Sequence, residues 1–359
     1  MAQLSVEEAR SRVLDRVEPL PAELIPIGMA HGRVLTADVA ALRSQPAEAV
    51  SAMDGYAVRA VDVASLPATL RVIGEAAAGQ PFAGTVGPGE TARIFTGGIL
   101  PAGADAVVLQ EYSERRGPEV LIKSSPAVGK HVRTPALDFA QGAVVLRKGR
   151  RLSDRDLALA AGMNYARVAV HRRPKLALLA TGDELVAPGS ELNRGQVVYS
   201  NGFAIAALAR QEGAEVTDFG IVPDRIEPTV AAIEQVRRSG ADILVTTGGA
   251  SVGDYDLVKR SLEIQGMELA FWKVAMRPGR PLIHGRMGAT YVLGLPGNPV
   301  SAYVGAFLFL IPLLRKLGGR GDLFASLESA VLGRDLAEND ERTDYLRAQL
   351  EARADGTLV

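Results

Sequence analysis

Three apolar stretches of the sequence end in the same dipeptide, Thr-Gly, which places a permissive backbone at the end of each predicted strand. The pairs begin at Thr96, Thr181 and Thr247, after the runs RIF, LLA and LVT. Because glycine has no side chain, a ligand can approach the backbone closely at such a position. A single Thr-Gly is also typical of a tight turn. Three copies, two of them followed by acidic residues, favour ligand binding.

Carboxylates follow two of these strands. Asp183 and Glu184 come after the second Thr-Gly, Asp254 and Asp256 come after the third, and Asp224 begins a predicted helix. Oxygen ligands of this kind suit Mg²⁺, so the pattern predicts a magnesium site at the strand ends. Aspartate is also a favoured helix N-cap. A glutamate three residues after Asp224 completes a capping box, so both interpretations of Asp224 stay open.

Cations and a helix start follow further along the chain. Lys273, Arg277 and Arg280 surround a Pro-Gly turn after a predicted strand, and the stretch LPGNPVS at 295–301 opens the last predicted helix. Cations beside acids suggest an anionic ligand that carries a metal, such as a phosphate ester. The free N–H groups of a helix start can also bind an oxyanion. A solvated hairpin and a rigid loop are the structural alternatives.

One candidate residue lies far from the others in the sequence. Asp54 is the only acid in the stretch SAMDGYAV, just before a short apolar run. Taken alone, this pattern is more typical of a plain turn than of a functional site.

The composition excludes several classes of protein. Lys and Arg number 40 against 41 Asp and Glu, which argues against a nucleic-acid partner. The chain has no cysteine, so disulfides and thiolate metal sites are excluded, and its four histidines are too scattered for a zinc site. The sequence contains neither a GxxxxGK[ST] loop nor a GxGxxG motif after a strand. We therefore do not expect an ordinary nucleotide or dinucleotide site.

We expect a cytoplasmic protein, because a chain without cysteine fits a reducing cytosol and the sequence shows no signal peptide. The first ten residues, MAQLSVEEAR, lack the basic and then apolar order of a signal peptide. The longest apolar run, at 300–314, is short for a bilayer span and contains Pro312. We expect this run to be a buried helix, and we expect no membrane association.

The pattern of predicted helices, strands and turns changes along the sequence, which predicts an α/β multidomain protein. A helical and extended linker region covers 1–42 and 140–170, and a β-rich domain with many turns covers 43–139. Strands and helices alternate over 171–318, which predicts a doubly wound, mostly parallel sheet with helices on both faces. Short strand-like runs occur again in 319–359, and we interpret them as part of a small β-barrel that is cut short.

Several motifs occur together in one order and spacing. They are MDGYA, TGG-ILPAGADAVV, TGDEL, SNG, TGGASVGDYD, KVAMRPGRP and LPGNPVSA. As a set they resemble the molybdopterin molybdenumtransferases, the MoeA family that also includes the E domain of gephyrin. The resemblance runs from residue 1 to about residue 325.

The resemblance implies a fold, an activity and partners. The α/β domain should resemble the adenylating enzymes MoaB and MogA, and the C-terminal module should be a β-barrel. The activity would be insertion of molybdate into adenylated molybdopterin with Mg²⁺, releasing AMP. The protein would be a homodimer whose active site lies between the α/β domain of one protomer and the β-rich domain of its partner. Molybdopterin adenylyltransferase and apo-molybdoenzymes or their chaperones would be further partners.

The resemblance also implies roles for individual residues. The expected catalytic residues are Asp54, Thr96, Asp183, Glu184, Asp256 and Lys273. The expected metal ligands are Glu184, Asp224 and Asp256. The expected substrate-binding residues are Gly248, Gly249, Ser251, Gly253, Asn201, Arg277, Arg280, Pro296, Asn298, Pro299 and Ser301. Asp138 matches an acid of the family within looser surroundings.

Two other functions fit parts of the same pattern. The α/β half alone is similar to molybdopterin adenylyltransferase, although the MDGYA and LPGNPVSA regions belong to the longer protein. The E domain of gephyrin uses this fold as a receptor-binding scaffold. Retention of Asp54, Glu184, Asp256 and Lys273 together favours catalysis, because a scaffold has no use for them.

Overall fold

The computed structural model describes residues 3–248 and 257–351. Its helices are α1 (Val6–Leu14), α2 (Asp154–Gly162), α3 (Asn201–Gln211), α4 (Ile226–Arg238), α5 (Leu257–Ile264) and α6 (Pro299–Leu317). The strands of the first 170 residues are β1 (Ala22–Pro26), β2 (Val39–Ala40), β3 (Val50–Ser51), β4 (Gly55–Val58), β5 (Ala68–Ala76), β6 (Glu90–Ile94), β7 (Ala106–Leu109), β8 (Ser113–Arg116), β9 (Glu119–Ile122), β10 (Val132–Arg133), β11 (Val144–Leu146) and β12 (Arg167–His171). The remaining strands are β13 (Lys175–Thr181), β14 (Leu185–Val186), β15 (Val197–Val198), β16 (Glu215–Val222), β17 (Ile243–Thr247), β18 (Glu268–Lys273), β19 (Met276–Arg277), β20 (Pro281–Met287), β21 (Thr290–Leu295) and β22 (Thr343–Asp344).

Helix α1 begins with the predicted capping box. The Ser5 hydroxyl accepts from the Glu8 backbone, and the Glu8 carboxylate accepts from the Ser5 backbone at 2.8 Å. Its apolar face, with Ala9 and Val13, is buried in the core of the α/β domain. The first helix is therefore tied to the sheet that carries most of the candidate site.

The β-rich part is a six-stranded sheet with the order β7-β4-β6-β5-β9-β8. Its pairs are antiparallel except for β5 and β6, which run parallel. Alternate residues such as Val58, Val108 and Ile122 bury one face of this sheet. The order brings the carboxyl end of β6 beside the amino end of β4, since Ile94 pairs with Gly55.

A second six-stranded sheet has the order β16-β13-β17-β21-β20-β18. Strands β16, β13, β17 and β21 are parallel, whereas β20 is antiparallel to both β21 and β18. Separate apolar clusters cover its two faces, one with α1, α3 and α6 and the other with α4 and α5. This multidomain α/β arrangement confirms the predicted fold class at that level.

Helix α6 is a core helix of this domain. Over 299–317 it is long and apolar enough to span a membrane by length and composition, but 67% of it is buried within the protein. Phe309 and Leu313 are fully buried in the cluster beneath the sheet. The expected buried helix is therefore present.

Helix α4 does not start as expected. Its N-cap is Arg225, which makes no side-chain capping bond, and the helix begins at Ile226. The predicted capping box at Asp224 is wrong, because the backbone N–H of Asp224 is bonded to the Asp183 carboxylate across the strand end. Asp224 thus belongs to the strand-end cluster instead of the helix.

The C-terminal segment also differs from the expected barrel. Within 319–351 the described chain forms one strand of two residues, β22, which pairs in parallel with β19. Leu327, Leu332 and Leu350 are exposed, so the strand-like runs of the sequence do not bury a core of their own. The described residues of this segment therefore do not confirm the expected partial β-barrel.

Candidate active site

The candidate residues of the α/β domain meet at one edge of its sheet. Because β13, β17 and β21 are parallel, their carboxyl ends at Thr181, Thr247 and Leu295 lie on the same edge. Strand β18 is antiparallel to β20, which is antiparallel to β21, so Lys273 ends β18 on that edge as well. Ligands of open α/β sheets bind outside the carboxyl ends of their strands.

The loops after these strands touch one another. Gly248 has a φ of +91°, and a Cβ there would lie 2.1 Å from the Thr181 carbonyl oxygen. A Cβ on Gly297 would lie 3.7 Å from the Gly248 Cα. The Asn201 amide at the start of α3 donates to the Gly297 carbonyl at 2.8 Å. The backbone at Gly248 is therefore enclosed between two neighbouring strand ends, and a side chain would separate them.

The predicted acids gather at the end of β13. The backbone N–H of Asp224 donates to the Asp183 carboxylate at 3.1 Å. The Glu184 carboxylate folds back over Gly182, where a Cβ would lie 2.7 Å from its Oε2. Burial raises the pKa of Asp224, and the neighbouring carboxylates of Asp183 and Glu184 raise it further. The structure thus brings Asp183, Glu184 and Asp224 together.

This acidic cluster has the donor chemistry of a hard-cation site. Within residues 3–248 and 257–351, Asp183, Glu184 and Asp224 form no ion pair with Lys, Arg or His. The same part of the chain contains no converged set of three or more metal-binding side chains. Carboxylates without a cationic partner have the oxygen donors that suit Mg²⁺, and Asp256, the third expected ligand, lies outside the described residues.

Lys273 and Arg277 have different partners. The Lys273 ammonium nitrogen lies 3.7 Å from the centroid of the Trp272 ring. Arg277 is paired with Asp340 at 2.8 Å and with Asp344 at 3.2 Å, both from the C-terminal segment. Sequence reasoning missed these two carboxylates, because nothing in the spacing places residue 340 beside residue 277. An anion at Arg277 would have to share the guanidinium with them.

The turn after Arg277 packs on the start of α6. A Cβ on Gly279 would lie 3.4 Å from the Ser301 carbonyl oxygen, and Arg280 next to it is exposed. Because β20 begins at Pro281, directly after Arg280, this turn lies at the same sheet edge as the strand ends.

The start of α6 has an ordered cap. Asn298 is the N-cap, and its side-chain oxygen accepts from the Ser301 backbone at 3.1 Å and from the Ser301 hydroxyl at 3.3 Å. Pro299 occupies the first turn, and Pro296 is buried behind the loop. Ser301 is 8% exposed. The Ser301 hydroxyl already donates its hydrogen bond to Asn298. To donate to an anion as well, it would have to share that bond.

Asp54 and Thr96 form a separate pair in the β-rich domain. The Asp54 carboxylate accepts from the Thr96 backbone N–H at 2.7 Å and from its hydroxyl at 2.8 Å. These two bonds hold the pKa of Asp54 below its usual range, with a smaller contribution from Arg93. Asp54 is therefore an oriented carboxylate whose ionised form is favoured, and its role as a site residue stays a prediction.

Arg93 is a residue of this region that sequence reasoning missed. Its guanidinium lies 4.8 Å from the Phe95 ring centroid and 5.2 Å from that of Tyr56, and it donates to the Gly55 carbonyl at 3.1 Å. It thereby braces the two loops that carry Asp54 and Thr96. Arg93 lies on β6 and Phe95 directly follows its last residue, and this spacing of two residues is the signal that predicts both side chains on one face.

Asp138 lies in the β-rich domain, between β10 and β11. It is exposed and lines a cavity of about 580 Å³ together with Gly97, Arg43 and Arg133. Because Gly97 directly follows Thr96, this cavity adjoins the Asp54 pair. Within the described residues, Asp54 and Thr96 hydrogen-bond only inside the β-rich domain.

Four predicted site residues lie outside the described residues. They are Gly249, Ser251, Gly253 and Asp256, together with the neighbouring Asp254. The roles expected of them stay predictions.

The fold is that of a multidomain α/β protein, and its candidate ligand site lies at the carboxyl edge of one sheet. Residues 4–163 match the MoeA N-terminal region (domain I and II), and residues 177–316 match a probable molybdopterin binding domain. The chain belongs to the family of molybdopterin molybdenumtransferases, which confirms the resemblance seen in its motifs.

Individual relatives support this membership. A molybdopterin molybdenumtransferase of Nostoc sp. is 40% identical over 306 residues, covering 83% of this chain and 70% of its own length. Molybdopterin molybdenumtransferase 2 of Mycobacterium tuberculosis is 35% identical, covering 99% of this chain and 89% of its own. The crystal structure of a molybdopterin biosynthesis MoeA protein from Pyrococcus horikoshii is 35% identical, with a TM-score of 0.78 over 89% of this chain and 82% of its own.

Proposed function

We propose that this chain inserts molybdate into adenylated molybdopterin and releases AMP and the molybdenum cofactor. The observation that carries the proposal is that an acidic cluster and a group of cations lie along the same edge of one sheet. Asp183, Glu184 and Asp224 supply the acids, and Lys273 and Arg280 lie at the other end of the same edge. A substrate with a phosphoanhydride and an incoming dianion needs charges of both kinds.

The cationic end would bind the anionic groups of the substrates. Lys273 and Arg280 would neutralise phosphate and molybdate oxygens, and Arg277 would join them by exchanging its partners Asp340 and Asp344. Charge-assisted bonds of this kind are stronger than neutral ones. The absence of a side chain at Gly248 would let the neighbouring strand ends approach each other and keep this edge of the site in place.

The acidic end would hold Mg²⁺. Glu184 and Asp224, with Asp256, are the expected ligands, and Asp183 orients Asp224 through its backbone bond. When bound, the ion would neutralise developing charge on the anhydride oxygens. The raised pKa of Asp224 fits this assignment, because a nearby cation relieves the repulsion among the three carboxylates.

The second half of the site would come from another copy of the chain. Asp54 and Thr96 of one protomer would face the sheet edge of its partner in a homodimer. Mixing Asp54→Ala protein with Glu184→Ala protein should then restore part of the activity, since each heterodimer keeps one intact site. No recovery above the two separate variants would contradict a shared site.

The proposed reaction requires partners that supply its substrate and accept its product. A molybdopterin adenylyltransferase would supply the substrate, and apo-molybdoenzymes or their chaperones would accept the product. We place these steps in the cytoplasm.

A matched pair of variants tests the assignment of the acidic cluster. Glu184→Gln should lower the rate of cofactor formation by about 100-fold or more, because an electrostatic group of the site is lost. Glu191→Gln, an exposed residue beyond the cluster, should keep the wild-type rate. Equal rates for the two variants would remove Glu184 from the mechanism.

A further inference from the structure

We propose that Trp272 is a positioning residue that holds the ammonium group of Lys273 at the carboxyl edge of the sheet. The Lys273 ammonium nitrogen lies 3.7 Å from the Trp272 ring centroid, well within the range of a cation–π contact. The inference rests on the proposed function, which gives Lys273 the task of binding an anionic substrate group.

The local backbone explains how neighbours in sequence meet in this way. Consecutive residues of a strand normally point to opposite faces of the sheet. Here the register of β18 against β20 shifts between Phe271 and Lys273, so the regular alternation is interrupted where the strand ends. The Lys273 stem can then fold back over the ring that precedes it.

The ring is the fixed member of the pair. Trp272 is half-buried and packs against the apolar cluster formed with α4 and α5. A second ammonium group, that of Lys259 on α5, lies 5.3 Å from its centroid. The apolar cluster thus holds the Trp272 ring in place, and the ring contacts Lys273 at the sheet edge.

Lys273 depends on this contact for its orientation. Within residues 3–248 and 257–351 it forms no ion pair with a carboxylate. A lysine has a flexible four-carbon stem and loses much rotamer freedom when it is held in one place. An aromatic face can restrain the ammonium group without neutralising its charge. A carboxylate that bound the same group would neutralise that charge. The charge therefore stays available to a phosphate or molybdate oxygen.

A double-mutant cycle tests the link between the two residues. Trp272→Leu should lower kcat/KM for cofactor formation roughly two- to thirtyfold, the range expected for loss of one cation–π contact. In a Lys273→Met background the same change should cost less than about twofold, because the group that the ring positions is gone. Trp272→Phe keeps an aromatic face and should recover most of the rate. Equal losses in both backgrounds would overturn the inference.

A spectroscopic readout tests the geometry without any activity. Lysines of the full chain would be ¹³C-methylated reductively, which keeps their charge, and the Lys273 signal would be assigned by its loss in Lys273→Arg. We expect an upfield ring-current shift in the wild type that Trp272→Phe keeps and Trp272→Leu loses. The absence of that shift in the wild type would overturn the inference.

The two proposals fail in different ways. If Lys273→Met loses activity while Trp272→Leu keeps the full wild-type rate, the positioning role is wrong and the proposed function stands. If Lys273→Met keeps the full rate, the substrate-binding role of Lys273 is wrong, and the positioning role is overturned with it. Thermal melting of each variant separates these outcomes from loss of the fold.

Discussion

The Asp54 carboxylate accepts two hydrogen bonds from a single residue, Thr96, one from its backbone N–H at 2.7 Å and one from its hydroxyl at 2.8 Å. Their sequence positions are 42 residues apart, and the pairing of β4 with β6 brings them together. Both bonds favour the ionised carboxylate. A residue whose sequence context indicates an ordinary turn is therefore held in one orientation, with its ionised form favoured.

Thr96→Val should raise the pKa of Asp54 part of the way to its ordinary value. The change removes the hydroxyl donor and keeps the backbone N–H, which is the larger cause of the lowered pKa. Because a higher pKa delays ionisation, the acidic limb of the pH–rate profile should move to higher pH. A ¹³C NMR titration of labelled aspartates measures the pKa directly, with Thr96→Ser as the control that keeps the hydroxyl. Wild-type titration of Asp54 in the valine variant would contradict this account.

Asp224→Asn should stabilise the protein at neutral pH when no divalent cation is present. Burial and two neighbouring carboxylates raise the pKa of Asp224 in the folded state. The free energy of unfolding therefore falls as the pH rises above the pKa that Asp224 has in the unfolded state. The loss becomes constant above its pKa in the folded state. We expect Tm to rise by about 1–3 °C at pH 7 and the gain to vanish below about pH 3.

Magnesium should reverse this order. Ligand binding to the folded state raises Tm, so Mg²⁺ should stabilise the wild type more than Asp224→Asn. Asp224 would not belong to a cation site if the gain in Tm of the variant were independent of pH. The same conclusion would follow if Mg²⁺ raised the Tm of both proteins equally.

Gly248→Ala should destabilise the fold by at least about 2 kcal/mol, because it combines a strained backbone with a clash. The new Cβ would lie 2.1 Å from the Thr181 carbonyl oxygen. Gly240→Ala is the matched control, since Gly240 has a φ of +70° with open space around it. Urea unfolding of both variants separates the two contributions. Equal destabilisation would mean that the strand ends do not enclose Gly248.

Asp340→Asn should lower the KM for molybdate by about two- to fivefold. The exposed ion pair between Asp340 and Arg277 competes with an anion for the guanidinium, and such pairs contribute modestly. Asp322→Asn is the control, because Asp322 pairs with Arg320 instead. Steady-state kinetics at low ionic strength give the comparison. An unchanged or higher KM in Asp340→Asn would assign the pair a purely structural role.

The sequence predicted the α/β sheet, its helices and the strand ends well, because each depends on local pattern. Alternation of apolar runs and capped helices indicates parallel strands, and that in turn places Thr181, Thr247 and Leu295 on one edge. The family membership also followed from motifs whose order is specific. These features need no knowledge of distant contacts.

The wrong capping box and the missed partners of Arg277 have a common cause, which is contact between residues far apart in sequence. The capping box at Asp224 was locally plausible and gave way to a bond with Asp183, 41 residues away. The ion pair of Arg277 with Asp340 spans 63 residues. Local propensity competes with tertiary contacts at both sites, and the tertiary contacts prevail there.

The most direct test of the central claim is molybdate-dependent AMP release by the purified protein. The full chain would be mixed with adenylated molybdopterin, Mg²⁺ and molybdate, and AMP would be followed alongside reconstitution of an apo-molybdoenzyme. We predict that both signals appear together and that both disappear when molybdate is omitted. Binding of adenylated molybdopterin with neither AMP release nor reconstitution would contradict the transferase and favour a scaffold.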